Sequence, residues 1–195
     1  MKRFFDFLFS VFFLIVLSPL LLTLGLIVSL GSKGGMFYKQ TRVGRHNKDF
    51  GLYKFRTMYK DSDKKGLLTV GGRDPRVTKT GYFLRKYKLD ELPQLINILK
   101  GEMSFIGPRP EVRKYVQLYT DEQMQVLNVR PGLTDWASIE YSNENEILEK
   151  QENPEQYYID VIMPHKLELN RKYVKRNNIF IDLWIALNTC FKILK

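Results

Sequence analysis

The sequence is poor in the residues that staple or metallate small proteins. Cys190 is the only cysteine among 195 residues, so no internal disulfide can form, and a reducing, cytoplasm-facing location suits the chain. The two histidines, His46 and His165, have no cysteine or histidine at zinc-ligand spacing, which excludes a zinc site of that kind. His165 follows a proline in a charged stretch and reads as an ordinary surface or packing histidine. A glycine-rich phosphate loop is missing, since Gly71-Gly72 is too short to cradle phosphates. Internal repeats and low-complexity tracts are absent too. Acidic residues are in deficit, 21 against 31 basic ones, and the formal net charge of +10 calls for an anionic partner: nucleic acid, anionic lipid or a phosphorylated substrate. Nucleic acid is the weakest of these, because the aromatics are not interleaved with the basic residues in a base-stacking pattern. The length allows one domain with a core and is too short for two ordinary ones.

Charge is also missing from one long run. Phe4 to Leu30 is apolar apart from Asp6 and scattered small polar residues, and Phe7 to Val28 carries no charge, which is long enough to cross a bilayer. The run is too long for a cleaved signal peptide, and Gly31-Ser32-Lys33 is a poor cleavage context. Ser18-Pro19 interrupts it. Proline removes the hydrogen bond to the Ile15 carbonyl and clashes with it, so the helix is expected to bend there, with the Ser18 hydroxyl free to satisfy backbone groups. Lys2 and Arg3 precede the run and Lys33, Lys39, Arg42 and Arg45 follow it, so the positive-inside rule leaves two forms open: a kinked spanning helix, or a re-entrant hairpin with both ends on the cytoplasmic side.

Two extended stretches follow, ending in Lys54-Phe55-Arg56-Thr57-Met58. Strand alternation puts Lys54, Arg56 and Met58 on one face, where the two cations either bind phosphate or are solvated. Residues 61–76 are polar and read as a surface loop. The richest stretch comes next. Leu92, Leu95, Ile96 and Leu99 recur at helical spacing, Pro93 is tolerated only in a first turn, and Gly101 is a stop signal, so a helix is expected to begin close to Asp90 and Glu91. Asp-Glu before a helix is commonly only a cap and a first-turn charge. Here Arg85, Lys86 and Lys88 lie upstream, and downstream Arg109 sits between Pro108 and Pro110, a rigid way of aiming a guanidinium at phosphate or carboxylate. Carboxylates, cations and a helix start together suit a metal-bound phosphate, with Asp90 as candidate nucleophile and Glu91, which cannot point the same way on a helix, as candidate Mg²⁺ ligand.

Beyond it, Val112 to Leu127 reads as a helix with Val112, Tyr115, Val116, Tyr119 and Met124 on its core side. Arg130, before Pro131-Gly132, is a further candidate phosphate or sugar contact. Asp135 and Glu140 either bind sugar hydroxyls or sit in solvent. Helices are expected over 144–170 with breaks at Pro154 and Pro164. In the last helix, 179–195, Asp182, Thr189, Lys192 and Lys195 fall near one face, which fits an interfacial helix whose lysines reach toward lipid headgroups or, alternatively, a plain core helix.

Leu89-Asp90-Glu91-Leu92-Pro93-Gln94-Leu95 and Asn97 to Glu111, which contains Ser104-Phe105-Ile106-Gly107-Pro108-Arg109-Pro110-Glu111, resemble the signature block of the bacterial sugar transferases, the monotopic phosphoglycosyl transferases. Lys54 to Met58, Asp74 to Thr78, Gly81 to Arg85 and Val129 to Thr134 match it as well, so the resemblance spans almost the whole chain and is to the minimal catalytic form. It implies an α+β, mostly helical fold: a re-entrant membrane helix broken at Ser18 and Pro19 over 1–32, then a compact cytoplasmic catalytic domain over 33–195 with a small β-hairpin and interfacial amphipathic helices. It implies Asp90 as nucleophile toward a UDP-sugar, Glu91 binding Mg²⁺ with Asp90 or assisting proton transfer, and Arg85 and Arg109 neutralising phosphate, with Lys54, Arg56 and Arg130 as further substrate contacts. The acceptor implied is polyprenol (undecaprenyl) phosphate and the place the bacterial inner membrane; a homodimer is left open. One departure stands out. Many members continue with Gly-Trp-Ala-Gln and a later Asn-Gly-Arg, whereas this chain has Asp135-Trp136-Ala137-Ser138, and Ser142 at the arginine position. A non-catalytic, membrane-anchored basic protein that binds anionic lipid is the reading from another class.

Overall fold

The computed structural model describes residues 1–31, 34–62, 68, 70–71 and 74–194. Ser32, Lys33, Gly72, Lys195 and residues 63–67, 69 and 73 of the polar loop lie outside the described residues. Helix α1 (Lys2–Val16) and helix α2 (Ser18–Gly31) meet at Leu17 with a bend of 65°. The expected cause is visible: proline supplies no N–H to Ile15, and Ser18 Oγ donates to that carbonyl instead, at 2.8 Å. Among the described residues no single helix is long and apolar enough to cross a membrane, although the bent pair together has the length and composition.

Polar anchors tie α1 to the rest of the chain. Arg3 donates to the Ile98 and Leu99 carbonyls at 2.5 and 2.7 Å, and buried Asp6 accepts from Ser104 Oγ and the Phe105 amide. Elsewhere α1 and α2 present large apolar side chains outward, among them Phe4, Phe12, Leu22 and Leu30. Their inner faces join the core: Leu24 and Val28 pack with Phe55 and Leu84, and Leu14 and Leu17 pack against a cluster of Leu52, Leu95, Ile98 and Met103.

Strand β1 (Phe37–Val43) pairs antiparallel with β2 (Asp49–Phe55), Phe37 opposite Phe55. Strand β2 ends at Phe55, yet the expected alternation runs on through Met58: Phe55 and Thr57 are buried, and Lys54, Arg56 and Met58 between and beyond them are half-buried. Lys54 turns to the interior, while Arg56 folds back on its own hairpin, donating to the Gly35 and Phe37 carbonyls at 3.3 and 3.1 Å. Helix α3 (Lys79–Lys86) is N-capped by Thr78, whose Oγ1 accepts from the Gly81 amide at 2.9 Å. Gly81 has to be glycine, since a Cβ there would run into the Thr57 carbonyl.

The dyad segment is a 3₁₀ turn, Leu89–Gln94, that passes directly into helix α4 (Leu95–Lys100). Pro93 fits because the turn needs no amide there, and Gly101 at φ 83° closes the helix in the left-handed region. A short parallel pair follows, β3 (Ser104–Ile106) with β4 (Gly132–Thr134).

The helix expected over 112–127 is interrupted. Helix α5 covers only Arg113–Val116, and a 3₁₀ turn spans Gln123–Asn128. Thr120 and Gln123 exchange bonds that compete with helix, the Thr120 amide to Gln123 Oε1 at 2.9 Å and the Gln123 amide to Thr120 Oγ1 at 3.3 Å. Val126, rather than Met124, then reaches the core.

Helices α6 (Trp136–Glu140), α7 (Glu144–Glu149), α8 (Pro154–Tyr157) and α9 (Met163–Arg176) complete the covering layer. A π turn, Tyr158–Ile162, accommodates Pro164 at the start of α9. In helix α10 (Ile179–Leu194) the first polar residues of the expected face turn into the protein. Asp182 pairs with Lys2 and Tyr173, and Thr189 Oγ1 lies 2.8 Å from Thr134 Oγ1. Phe180, Leu183, Leu187 and Phe191 form the outward face, Lys192 is exposed near the end of the helix, and Lys195 lies outside the described residues.

Candidate active site

A buried asparagine sets the floor. Asn97 accepts from the Tyr53 amide at 3.0 Å and donates to the Gly51 carbonyl at 2.8 Å, which clamps β2 against α4 and brings Lys54 alongside the dyad. Above it opens a cavity of about 1210 Å³, lined by Lys54, Arg85, Asp90, Glu91 and Arg109 and extending past Ser138, Tyr141 and Asn170. This exceeds the roughly 300–1,000 Å³ usual for one small ligand.

The two carboxylates both line this cavity but live in different surroundings. Glu91 is clasped: Arg109 Nη1 donates to its Oε2 at 3.0 Å, Arg109 Nη2 to its Oε1 at shorter range, and Lys54 Nζ to Oε1 at 3.2 Å. Burial would raise its proton affinity, but Arg109 and Lys54 outweigh that and hold it well below the usual carboxylate range. In return, Glu91 holds the Arg109 proton more firmly. Asp90 is only 6% exposed, and burial pushes its carboxyl up, with the charges of Lys54, Arg85 and Lys88 offsetting part of the shift. A buried carboxylate left under-neutralised is a ready acceptor for a cation or an electrophile.

Arg85 is half-buried above Asp90, with Nε donating to Thr57 Oγ1 at 2.9 Å, and burial lowers its proton affinity. Lys54 loses proton affinity through burial too, opposed by Glu91. Of the remaining candidates, Arg56 reaches the cavity margin while engaged with backbone, and Arg130 stands apart, its Nε donating to the Gly101 carbonyl at 2.9 Å. Arg85, Arg109, Lys54, Asp90 and Glu91 are thus brought together, whereas Arg130 ties the turn before β4 to the end of α4.

Asp135, expected to bind sugar hydroxyls or sit in solvent, does neither, and Glu140 is on the solvent side. Asp135 is fully buried and touches neither solvent nor an open site: Oδ1 accepts from the Ser138 amide at 2.6 Å and Oδ2 from the Arg109 amide at 3.0 Å. The Asp-x-x-Ser spacing before a short helix was a capping signal that could have revealed the first bond, but nothing local announces the second. Glu140 is exposed near His165, 3.6 Å from Nδ1. Thr189 and Lys192 line the cavity from α10, which brings the last helix to the site.

Among the described residues no group of three or more His, Cys, Asp or Glu could hold a metal ion by itself. Mg²⁺, however, is ordinarily bound by one or two carboxylates with waters and substrate phosphates, and under-neutralised Asp90 fits that role while Glu91's oxygens are engaged by Arg109 and Lys54.

Comparison with known proteins gives the same direction. A family model described as bacterial sugar transferase matches residues 1–195. A protein of Bacillus subtilis (strain 168), named as the uncharacterized sugar transferase EpsL, is 39% identical over 194 residues, covering 100% of this chain and 87% of its own. An Aeromonas hydrophila UDP-N-acetylgalactosamine-undecaprenyl-phosphate N-acetylgalactosaminephosphotransferase is 36% identical over 197 residues, 99% of this chain and 43% of its own. The UDP-glucose:undecaprenyl-phosphate glucose-1-phosphate transferase of Escherichia coli (strain K12) is 35% identical over 196 residues, 98% of this chain and 40% of its own. The chain therefore spans less than half the length of these last two relatives.

Proposed function

Because this chain belongs to the bacterial sugar transferase family, we propose that it is a phosphoglycosyl transferase, moving a sugar phosphate from a UDP-sugar to polyprenol phosphate through a covalent intermediate on Asp90. The observation that carries this reading is the contrast within the dyad: Glu91 is fully paired by Arg109 and Lys54, while Asp90 is buried without comparable neutralisation. The Aeromonas hydrophila and Escherichia coli relatives are named as acting on UDP-sugars and undecaprenyl phosphate, which supports the substrate class.

In the first step an Asp90 oxygen attacks the β-phosphorus of the UDP-sugar. The bond from that phosphorus to the bridging oxygen breaks, its electron pair leaves with uridine monophosphate, and the phosphosugar stays on Asp90 as an acyl phosphate. In the second, a phosphate oxygen of the lipid attacks the same phosphorus and Asp90 leaves as carboxylate, giving a polyprenol diphosphate sugar. Arg109 and Arg85 neutralise phosphoryl charge, Lys54 and Arg109 keep Glu91 ionised, and Glu91 holds the guanidinium across the cavity. Mg²⁺, when bound at Asp90 and the substrate phosphates, would withdraw charge from the phosphoryl oxygens.

The bent pair α1–α2 and the outward face of α10 suit the lipid substrate, which cannot leave a bilayer. The reading places the pair as a re-entrant element in the bacterial inner membrane, residues 1–32, with 33–195 on the cytoplasmic side. A protein that merely binds anionic lipid gains nothing from cations turned inward on a buried glutamate. The test is incubation of the purified protein with UDP-glucose, UDP-galactose and their N-acetylated forms, reading uridine monophosphate with and without undecaprenyl phosphate. Release that needs neither Asp90 nor Mg²⁺ would overturn the assignment.

A further inference from the structure

We propose that Asp135 is a positioning residue for Arg109: it fixes the backbone from which the guanidinium reaches the phosphate, without touching substrate. The inference rests on the reading of Arg109 as the phosphate-neutralising group.

A run with two prolines is short of backbone donors. Pro108 and Pro110 have no amide hydrogen, so the Arg109 N–H is the single backbone donor in the Pro108–Pro110 run. That donor goes to Asp135 Oδ2 at 3.0 Å. Around it, strand β4 grips the chain from Gly107 to Arg109. The Gly107 amide donates to the Thr134 carbonyl at 3.1 Å, the Gly132 amide to the Pro108 carbonyl at 3.0 Å, and Arg109 Nη1 to the Leu133 carbonyl at 3.2 Å. The two backbones approach so closely that a Cβ at Gly107 or Gly132 would collide with the other strand. Asp135 continues β4 and supplies the bond that a strand could not, because Pro110 interrupts any further ladder.

The chemistry of the side chain points the same way. Capping α6 needs one acceptor, Oδ1 to the Ser138 amide at 2.6 Å, and serine or asparagine would serve without burying a charge. Asp135 is nevertheless 0% exposed, and a fully buried carboxylate is costly unless its charge and both oxygens are used. The second oxygen is used on Arg109, whose guanidinium is in turn held by Glu91. Main chain and side chain of Arg109 are thereby fixed by two different carboxylates, Asp135 behind the cavity wall and Glu91 lining it.

The experiment uses the full chain in detergent with undecaprenyl phosphate and whichever UDP-sugar of the panel above is turned over. Asp135→Ser keeps the helix cap and loses the Arg109 bond; Asp135→Asn keeps the size and, with one oxygen for two amides, leaves one unpaired. In variants that retain a cooperative unfolding transition, kcat is expected to fall by about 10- to 100-fold, the scale of a misplaced reacting group, while the KM for the UDP-sugar moves by less than about threefold. In an Arg109→Ala background the same substitutions are expected to add no more than about a further twofold loss. Should Asp135→Ser fail to fold, Asp135→Asn carries the measurement. Wild-type kcat in the folded variants, or losses that multiply with Arg109→Ala, would overturn the positioning role while leaving Arg109 in place. A silent Arg109→Ala is a separate result: it removes the phosphate assignment and the inference with it.

Discussion

Lys2 and Asp182, 180 residues apart, form an ion pair at 2.7 Å, and Tyr173 donates to the other Asp182 oxygen at the same distance. Lys2 also donates to the Ile106 carbonyl at 2.8 Å. One cation from the start of the chain therefore joins α1, β3 and α10. With their polar groups spent on each other, the first and last helices turn apolar side chains outward, Phe4 and Phe12 from one, Phe180 and Phe191 from the other. Exposed apolar surface on this scale marks a site for a partner or a lipid phase.

Asp182→Ala should lower stability by about 1–3 kcal/mol, because Tyr173 and Lys2 lose an acceptor in a largely buried setting. Thermal unfolding in detergent is the measurement. An unchanged midpoint would mean that the pair contributes nothing to holding the chain ends together.

Replacing Pro19 with alanine restores an amide that can donate to Ile15 and should straighten the α1–α2 junction. If the pair is re-entrant, a reporter cysteine introduced as Asp121→Cys in a Cys190→Ser background is protected from an impermeant thiol reagent applied outside intact cells, and becomes labelled in a fraction of molecules when Pro19 is replaced together with Ser18. Labelling of the Pro19-containing protein would instead indicate a kinked spanning helix.

Asp90→Asn should reduce uridine monophosphate release by at least about 10³-fold, the usual cost of removing a nucleophile, with no phosphosugar mass remaining on the protein. Leu84→Ala is the contrasting case. It should cost about 2–5 kcal/mol of stability, as for other buried leucines, because Leu84 is fully buried between α2 and β2; any activity loss should follow the unfolded fraction.

Arg109→Lys keeps a charge but loses the two-pronged grip on Glu91. Turnover should drop by about 10²-fold. Retention of full kcat would show that a point charge suffices.

Lys192 lines the cavity from the helix whose other face is apolar. Lys192→Ala should raise the KM for undecaprenyl phosphate several-fold while the single-turnover burst of uridine monophosphate without lipid stays unchanged. A change in the burst alone would reassign Lys192 to the nucleotide sugar.

Much of the dyad region was readable in the chain itself. Pro93 in a first turn, Gly101 as terminator and the Ser18-Pro19 bend are consequences of a missing amide or a missing side chain, and such constraints act within a few residues whatever surrounds them. The apolar spacing around Leu95 and Leu99 likewise set a helix before any partner was known. What the helix over 112–127 missed was also local, a Thr120–Gln123 exchange that the apolar periodicity masked.

The tertiary structure decided the rest, and the reason is distance along the chain. Whether Asp135 meets solvent, sugar or Arg109 depends on a strand 26 residues from its partner folding alongside it. The pairing that separates Glu91 from Asp90 arises from Lys54 of β2 and Arg109 of the Pro108–Pro110 run converging on one carboxylate, and the inward turn of Asp182 on α10 depends on Lys2. A sequence fixes which groups are charged and where the backbone must bend; how strongly each charge is felt is a property of what the fold sets beside it.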